Sequence, residues 1–195
     1  MVNNPTQYSR WDIARAALVI GESPMRLSRE ALAERLELGE GVIRSVLDAL
    51  KRKRFIASTR RGHALTANGE REFRGMVELL TPPRAVTVPL YPNFHCAAVV
   101  IRPPHAREVG AEERDLAVKE GAEGAILLIQ RKGKLELPGF RYPARFADVQ
   151  RQLRTADGDL TIISFAEDRR RAENAVLRIA ESVSRSLEKQ FREFQ

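Results

Sequence analysis

Apolar positions recur at helical spacing through the first eighty residues and gather into short continuous runs after that, so the pattern itself divides the chain. Ser9 followed by Asp12 has the spacing of a capping box, and Trp11, Ala14, Ala17 and Leu18 continue at helical intervals until Gly21 and Pro24. Ser28 caps a second helix in which Leu32 and Leu36 stack one turn apart. Gly39 and Gly41 mark a tight turn into a third, where Ile43, Val46, Leu47 and Leu50 make one buried face and Gly41, Arg44, Ser45 and Asp48 the other. Phe55–Thr59 and His63–Thr66 are β-prone and joined by the turn Arg60–Gly62, which predicts a hairpin with a positive tip. Thr66 then caps a fourth helix with the stripe Phe73, Met76, Val77 and Leu80, ended by Pro82 and Pro83.

The stretch from Thr81 to Pro89 breaks the composition and predicts a boundary between domains at 1–81 and 82–195. Val86–Val88 reads as a short strand held to an edge by Pro89. Phe94–Ile101 is a near-continuous apolar run, the mark of a buried strand, and ends at Pro103 and Pro104. A helix is predicted over Val109–Glu120 with Leu116 and Ala117 inward, stopped by Gly121. Ala125–Ile129 and Lys134–Leu137 flank the turn Lys132–Gly133 as a second hairpin. Phe146–Leu153 predicts a short helix or irregular chain, and Leu160–Phe165 another strand after the turn Asp157–Gly158. From Arg169 to the end one long helix is predicted, striped by Ala172, Val176, Ile179, Val183 and Leu187. The second half thus predicts a two-layer α+β sandwich with a long helix over a sheet.

Helix, helix-turn-helix, hairpin, helix is the order of a winged helix: a three-helix bundle, a β-hairpin wing and a fourth helix. Leu27–Leu36, Val42–Ile56 and Arg61–Gly69 resemble the winged-helix regulators of bacteria and archaea. In that resemblance the first segment loads the motif, the second is the recognition helix running into the wing, and the third is the wing returning into Leu-Thr-x-x-Gly. Lys53 and Arg54 depart from it, standing where the family often has a glycine before the wing. The whole chain resembles an uncharacterised archaeal family of two-domain proteins, in which a winged helix precedes a domain similar to the GAD fold of some aspartyl-tRNA synthetases and amidotransferase subunits. Arg114–Leu128, Lys132–Leu135 and Asp159–Phe165 carry that second resemblance. It implies a GAD-like C-terminal domain and no particular activity.

Charge changes the picture by its placement. The chain has 195 residues with 33 Lys and Arg against 26 Asp and Glu, a net +7, and arginine dominates the cations. Residues 1–80 carry +4 and residues 81–195 carry +3, so the total is spread almost evenly. The placement is not: no acidic residue lies between Asp48 and Glu70, where Lys51, Arg52, Lys53, Arg54, Arg60 and Arg61 fall at the end of the third helix and on the hairpin tip. Excess cations of this kind favour an anionic partner, commonly nucleic acid. Arg44 suits bidentate contact with guanine, Ser45 contact with base or phosphate, and Arg60 and Arg61 phosphate or the adjacent minor groove. His63 sits beside the tip. Asp48 opposes phosphate and fits the orienting of Arg44 or Arg52 by an i, i+4 pair. The candidate DNA-binding residues are therefore Arg44, Ser45, Asp48, Lys51, Arg52, Lys53, Arg54, Arg60, Arg61 and His63.

Catalytic and metal chemistry finds no foothold. One cysteine, Cys96, excludes an internal disulfide and any cysteine-rich zinc site. His95 and Cys96, adjacent in a strand, point to opposite faces. Gly121–Gly124 ends a helix and so cradles no phosphate; Glu167 and Asp168 fit a helix-capping role, and Arg169–Arg171 a solvated run. There is no apolar run long enough to span a membrane and no secretory signal, which predicts a cytoplasmic protein. The expected function is a transcriptional regulator that binds double-stranded DNA as a homodimer, with the second domain dimerising or sensing a small-molecule effector, and with no cofactor and no enzymatic activity. Two alternatives stand beside it: an RNA- or tRNA-associated factor, and a small-molecule-binding protein whose winged helix serves assembly.

Overall fold

The computed structural model describes residues 8–103, 111–138 and 146–194. In element order these form α1 (Arg10–Glu22), α2 (Arg29–Leu36), α3 (Glu40–Arg52), β1 (Ile56–Thr59), β2 (Gly62–Leu65), α4 (Ala67–Leu79), β3 (Arg84–Ala85), β4 (His95–Ile101), α5 (Ala111–Lys119), β5 (Gly124–Arg131), β6 (Lys134–Glu136), α6 (Ala147–Gln152), β7 (Leu160–Ala166), α7 (Arg169–Val183) and α8 (Arg185–Arg192). The fold is mixed α and β with two antiparallel sheets among the described residues. The described residues up to Val77, together with those from Gln190 onward, form one compact unit; Glu78–Lys189 form the other.

In the first unit the capping box that starts α1 is complete. The Ser9 amide donates to Asp12 Oδ2 at 2.8 Å, and the Asp12 amide donates back to Ser9 Oγ at 3.4 Å. The next helical residue on that face, Arg15, is 1 % exposed. Its guanidinium donates to Asp12 Oδ1 at 3.3 Å and to the Leu36 carbonyl at 3.0 Å, closing one of the orphan acceptors at the end of α2. The expected turn glycines act differently from the sequence pattern. Glu37 makes the left-handed turn (φ 54°), Gly39 is the N-cap of α3 with an ordinary φ of −62°, and Gly41 lies inside α3. The αL penalty is small for one residue whose amide bonds back to the helix, so no glycine is required there.

Ile43, Val46, Leu47 and Leu50 are all buried, while Arg44, Lys51 and Arg52 are exposed. Arg54 takes φ 59°, the left-handed conformation that a glycine would adopt without cost, and the chain turns there into the hairpin. The hairpin pairs Ile56 with Leu65 through to Thr59 with Gly62. Neither Arg60 nor Arg61 has positive φ, so the turn is not of the mirror-image type; Gly62 takes the strain at φ 114°. Leu27 joins the hairpin as a third rung, exchanging both backbone hydrogen bonds with His63. Thr66 caps α4 by accepting the Gly69 amide at 3.1 Å and donates to the Arg54 carbonyl at 2.6 Å. A Cβ on Gly69 would lie 2.0 Å from the Phe55 carbonyl oxygen, which is the physical reason for glycine at that place in the Leu-Thr-x-x-Gly segment.

The second unit is built on a five-stranded sheet in the order β3-β4-β7-β5-β6, antiparallel throughout. Central β7 is buried along its whole length. One face carries Ser164, whose hydroxyl bonds the Ala172 carbonyl of α7. On the other, Cys96, Ala98, Leu128, Ile163 and Phe165 pack with Val86, Val88, Phe146 and Val149. The sheet is therefore covered on both faces, and the expected two-layer sandwich gains a third layer from α6 and the segment before β4. Coverage on both faces also explains why its strands read as continuous apolar runs rather than alternating ones.

Two further expectations are corrected. Val86–Val88 is not a strand. The edge strand is Arg84–Ala85, and the side chain of Gln152 satisfies Thr87 at both its amide (2.8 Å) and its carbonyl (3.0 Å), in place of a ladder. The C-terminal helix is not continuous. Ser184 is extended (φ −138°, ψ 116°) and caps α8, accepting the Glu188 amide on its carbonyl at 2.9 Å. The stripe Ala172, Val176, Ile179, Val183 and Leu187 is buried across that break. Pro104, Val109 and Gly110, which the sequence places around the start of α5, lie outside the described residues. Among the described residues no helix is long and apolar enough to cross a membrane.

Candidate nucleic-acid interface

The ten residues singled out from the sequence all fall in the first unit, on α3, the hairpin and the turn between them. On α3 the buried stripe forces the opposite face outward, and Gly41, Arg44, Ser45, Asp48 and Arg52 share it at intervals of three and four residues. Ser45 turns its hydroxyl back to donate to the Gly41 carbonyl at 3.1 Å, leaving its lone pairs as acceptors. Asp48 pairs with Lys51, one turn on, at 3.3 Å. It does not pair with Arg44 or Arg52, as the sequence suggested; the i, i+3 lysine lies within reach and the ammonium is the more adaptable partner.

Six cations remain without such a partner. The side chains of Arg44, Arg52, Lys53, Arg54, Arg60 and Arg61 have no ion pair or hydrogen bond among the described residues. Lys53 is half-buried and the other five are exposed. Elsewhere some arginines are paired, Arg74 with Glu70, Arg169 with Glu173, Arg171 with Glu167 and Asp168, and Arg178 with Glu181, while Arg26, Arg35, Arg114, Arg131, Arg154 and Arg185 stand scattered without an ion pair among the described residues. The run Arg169–Arg171 is thus tied at both ends to carboxylates, which leaves it little to offer an anion. Asp168 caps α7 by accepting the Arg171 amide at 2.8 Å, the role expected of it.

His63 is half-buried one pair back from the hairpin tip, where its Nδ1 lies 2.8 Å from Ser58 Oγ across the strands. Partial burial, and after it the charges of Lys51 and Arg29, push the imidazole below the usual histidine range; Glu30 works against them. Arg29, at the first position of α2, was missed by sequence reasoning. It is remote along the chain from the basic cluster, and only the Leu27–His63 bridge brings the start of α2 beside the hairpin.

The remaining candidates for chemistry are separated. His95 is exposed and Cys96 buried, its thiol pushed upward by burial. No group of three or more His, Cys, Asp or Glu among the described residues is placed to hold a metal.

Comparison with known proteins gives two family matches. Residues 15–71 match a family described as the PH0730-like, N-terminal domain, and residues 91–183 one described as a domain of unknown function (DUF4443). A solved structure, the hypothetical protein PH0730 from Pyrococcus horikoshii, is similar over 97 % of this chain and 100 % of its own, at 26 % identity and a TM-score of 0.80. No curated protein matches. Together these fit an archaeal family of two-domain proteins without an assigned activity.

Proposed function

We propose that, within this two-domain architecture, the first unit is a winged helix that binds duplex DNA, and that the chain is a transcriptional regulator whose second unit, GAD-like in fold, dimerises or senses an effector. The observation that carries the reading is the set of six unpartnered cations concentrated on α3, its C-terminal turn and the hairpin tip. Cations left without carboxylates in one protein region are an electrostatic footprint for a polyanion. The shape of the region favours a duplex in this reading. A helix with one free face enters a major groove, while a hairpin tip reaches phosphate or minor groove beside it.

In this reading Arg44 addresses a guanine edge, with Ser45 as an acceptor or donor beside it. Arg60 and Arg61 contact phosphates. Lys51, Arg52, Lys53 and Arg54 add charge at the far end of α3. Asp48 tempers Lys51 and excludes phosphate from the middle of the helix face. The protein is not an enzyme in this view and needs no cofactor, and it acts as a homodimer because one small winged helix buries little DNA.

The test is duplex binding measured against salt. Affinity falls linearly on a log–log plot, and Arg60→Gln with Arg61→Gln reduces the slope by up to about 0.9 for each phosphate no longer neutralised. Binding that does not respond to salt would sink the reading. Preference for tRNA over duplex in direct competition would transfer it to the RNA-associated alternative.

A further inference from the structure

Beside the hairpin, one pair back from its tip, lies a second group of charges that the roles of Arg44, Arg60 and Arg61 leave unused. Arg29 opens α2, Lys51 lies in the last turn of α3, and His63 faces Ser58 across the hairpin. With Nδ1 engaged by Ser58, the imidazole has Nε2 left as its second hydrogen-bonding nitrogen. The Arg29 Nε is buried without a hydrogen-bond partner, and the guanidinium reaches only Glu30, at 3.8 Å. Lys51 is half-exposed and paired with Asp48. A buried guanidinium nitrogen without an acceptor is costly, and a half-buried imidazole that feels the charges of Lys51 and Arg29 holds its proton less tightly. One anion entering between them relieves both conditions.

We propose that Arg29, Lys51 and His63 form a single phosphate subsite for the DNA backbone, in which the imidazole takes up a proton as the phosphate enters. The proposal rests on the DNA-binding reading above and adds to it a proton. The groups facing His63 are Ser58 from β1, Arg29 and Glu30 from α2, and Lys51 from α3 with its partner Asp48. A phosphodiester placed among them reverses the field that holds the proton off. The histidine binds its proton more tightly in the complex than in the free protein, so association consumes a proton. Affinity then rises as pH falls, through the window between the raised value in the complex and the lowered value in the free protein.

Folding carries the opposite sign. In the free protein the imidazole titrates below its unfolded value, so stability is full above the unfolded value of about 6.5 and declines as pH falls through it. A histidine that only supports the hairpin shows this acid loss and nothing more. A histidine in a phosphate subsite shows acid loss of stability in the free protein together with acid gain of DNA affinity.

The experiment is fluorescence anisotropy of a labelled mixed-sequence DNA duplex at constant salt, from about pH 5.5 to 8, with thermal unfolding of the same samples. The wild-type chain should tighten on acidification by about tenfold for each pKa unit that phosphate adds to His63, and His63→Gln should flatten the curve while still binding. Arg29→Gln and Lys51→Gln should each lower the log–log salt slope by about 0.9. Lys51 is exposed on α3, so that variant keeps the fold whatever the hairpin tolerates. A wild-type affinity that does not change with pH overturns the subsite, as does a His63→Gln variant with the wild-type pH slope or salt slopes unmoved in both cation variants. A chain that binds no duplex at any pH overturns the DNA-binding reading along with it.

Discussion

At the scale of single residues, the burial of Arg15 decides more than any exposed arginine. Arginine is rarely fully buried, and here the cost is met by Asp12 and by the last carbonyl of α2, so one side chain ties the start of α1 to the end of α2. Asp12→Ala removes the carboxylate and strands the guanidinium; it should cost about 3–5 kcal/mol in urea unfolding, well beyond the roughly 1 kcal/mol of a lost cap. Arg15→Met, which removes charge and keeps volume, should cost less than Asp12→Ala. The reverse order would show that the pair is not what holds the two helices. Gly62 offers a second test. Its φ is 114°, and a Cβ there would lie 2.6 Å from the Leu27 carbonyl oxygen, so no side chain fits. Gly62→Ala should destabilise by at least about 1–2 kcal/mol and weaken the Leu27–His63 rung, read as reduced amide-exchange protection at His63. The Ser9–Asp12 box was legible in the sequence because its partners lie three residues apart. The role of Arg15 was not, because Leu36 is remote in the chain.

At the scale of elements, α3 and the hairpin were legible and the end of the chain was not. The α3 stripe repeats every three to four residues and the hairpin is punctuated by its own basic turn, both local signals. The break at Ser184 hides in a stripe that continues from Val183 to Leu187, so periodicity sees one helix where the backbone makes two. Beyond the break, Phe191 and Phe194 belong to the first unit. Phe191 meets the edge of Trp11 at 5.3 Å between centroids, and Phe194 lies 5.6 Å from Phe55 at the foot of the hairpin. Both are at most 1 % exposed. Phe191→Ala or Phe194→Ala should cost about 3–5 kcal/mol. Trp11 is the sole tryptophan, so its fluorescence follows the unfolding of this unit directly. Variants whose tryptophan transition does not move would show that the C-terminal aromatics are dispensable there.

At the scale of the molecule, the net charge of +7 says less than where cations go unanswered. Carboxylates meet the arginines of α7, while six cations around α3 and the hairpin have none among the described residues. If the protein binds as a dimer, sedimentation should give twice the chain mass, and DNA footprints should show two half-sites about one helical turn apart, or a multiple of it. A monomer with a single short footprint would remove the dimer from the proposal. By itself the sequence determined the helices and strands whose signals are local: caps, stripes, turn residues, and the acid-free stretch from Asp48 to Glu70. Those depend on neighbours within a few positions, and no fold is needed to read them. The tertiary structure alone decided that the sheet is covered on both faces, that the last residues return to the first unit, and that Arg29 stands beside His63. Each of these is a contact between residues far apart in the chain, set by how apolar surfaces find cover rather than by any local preference.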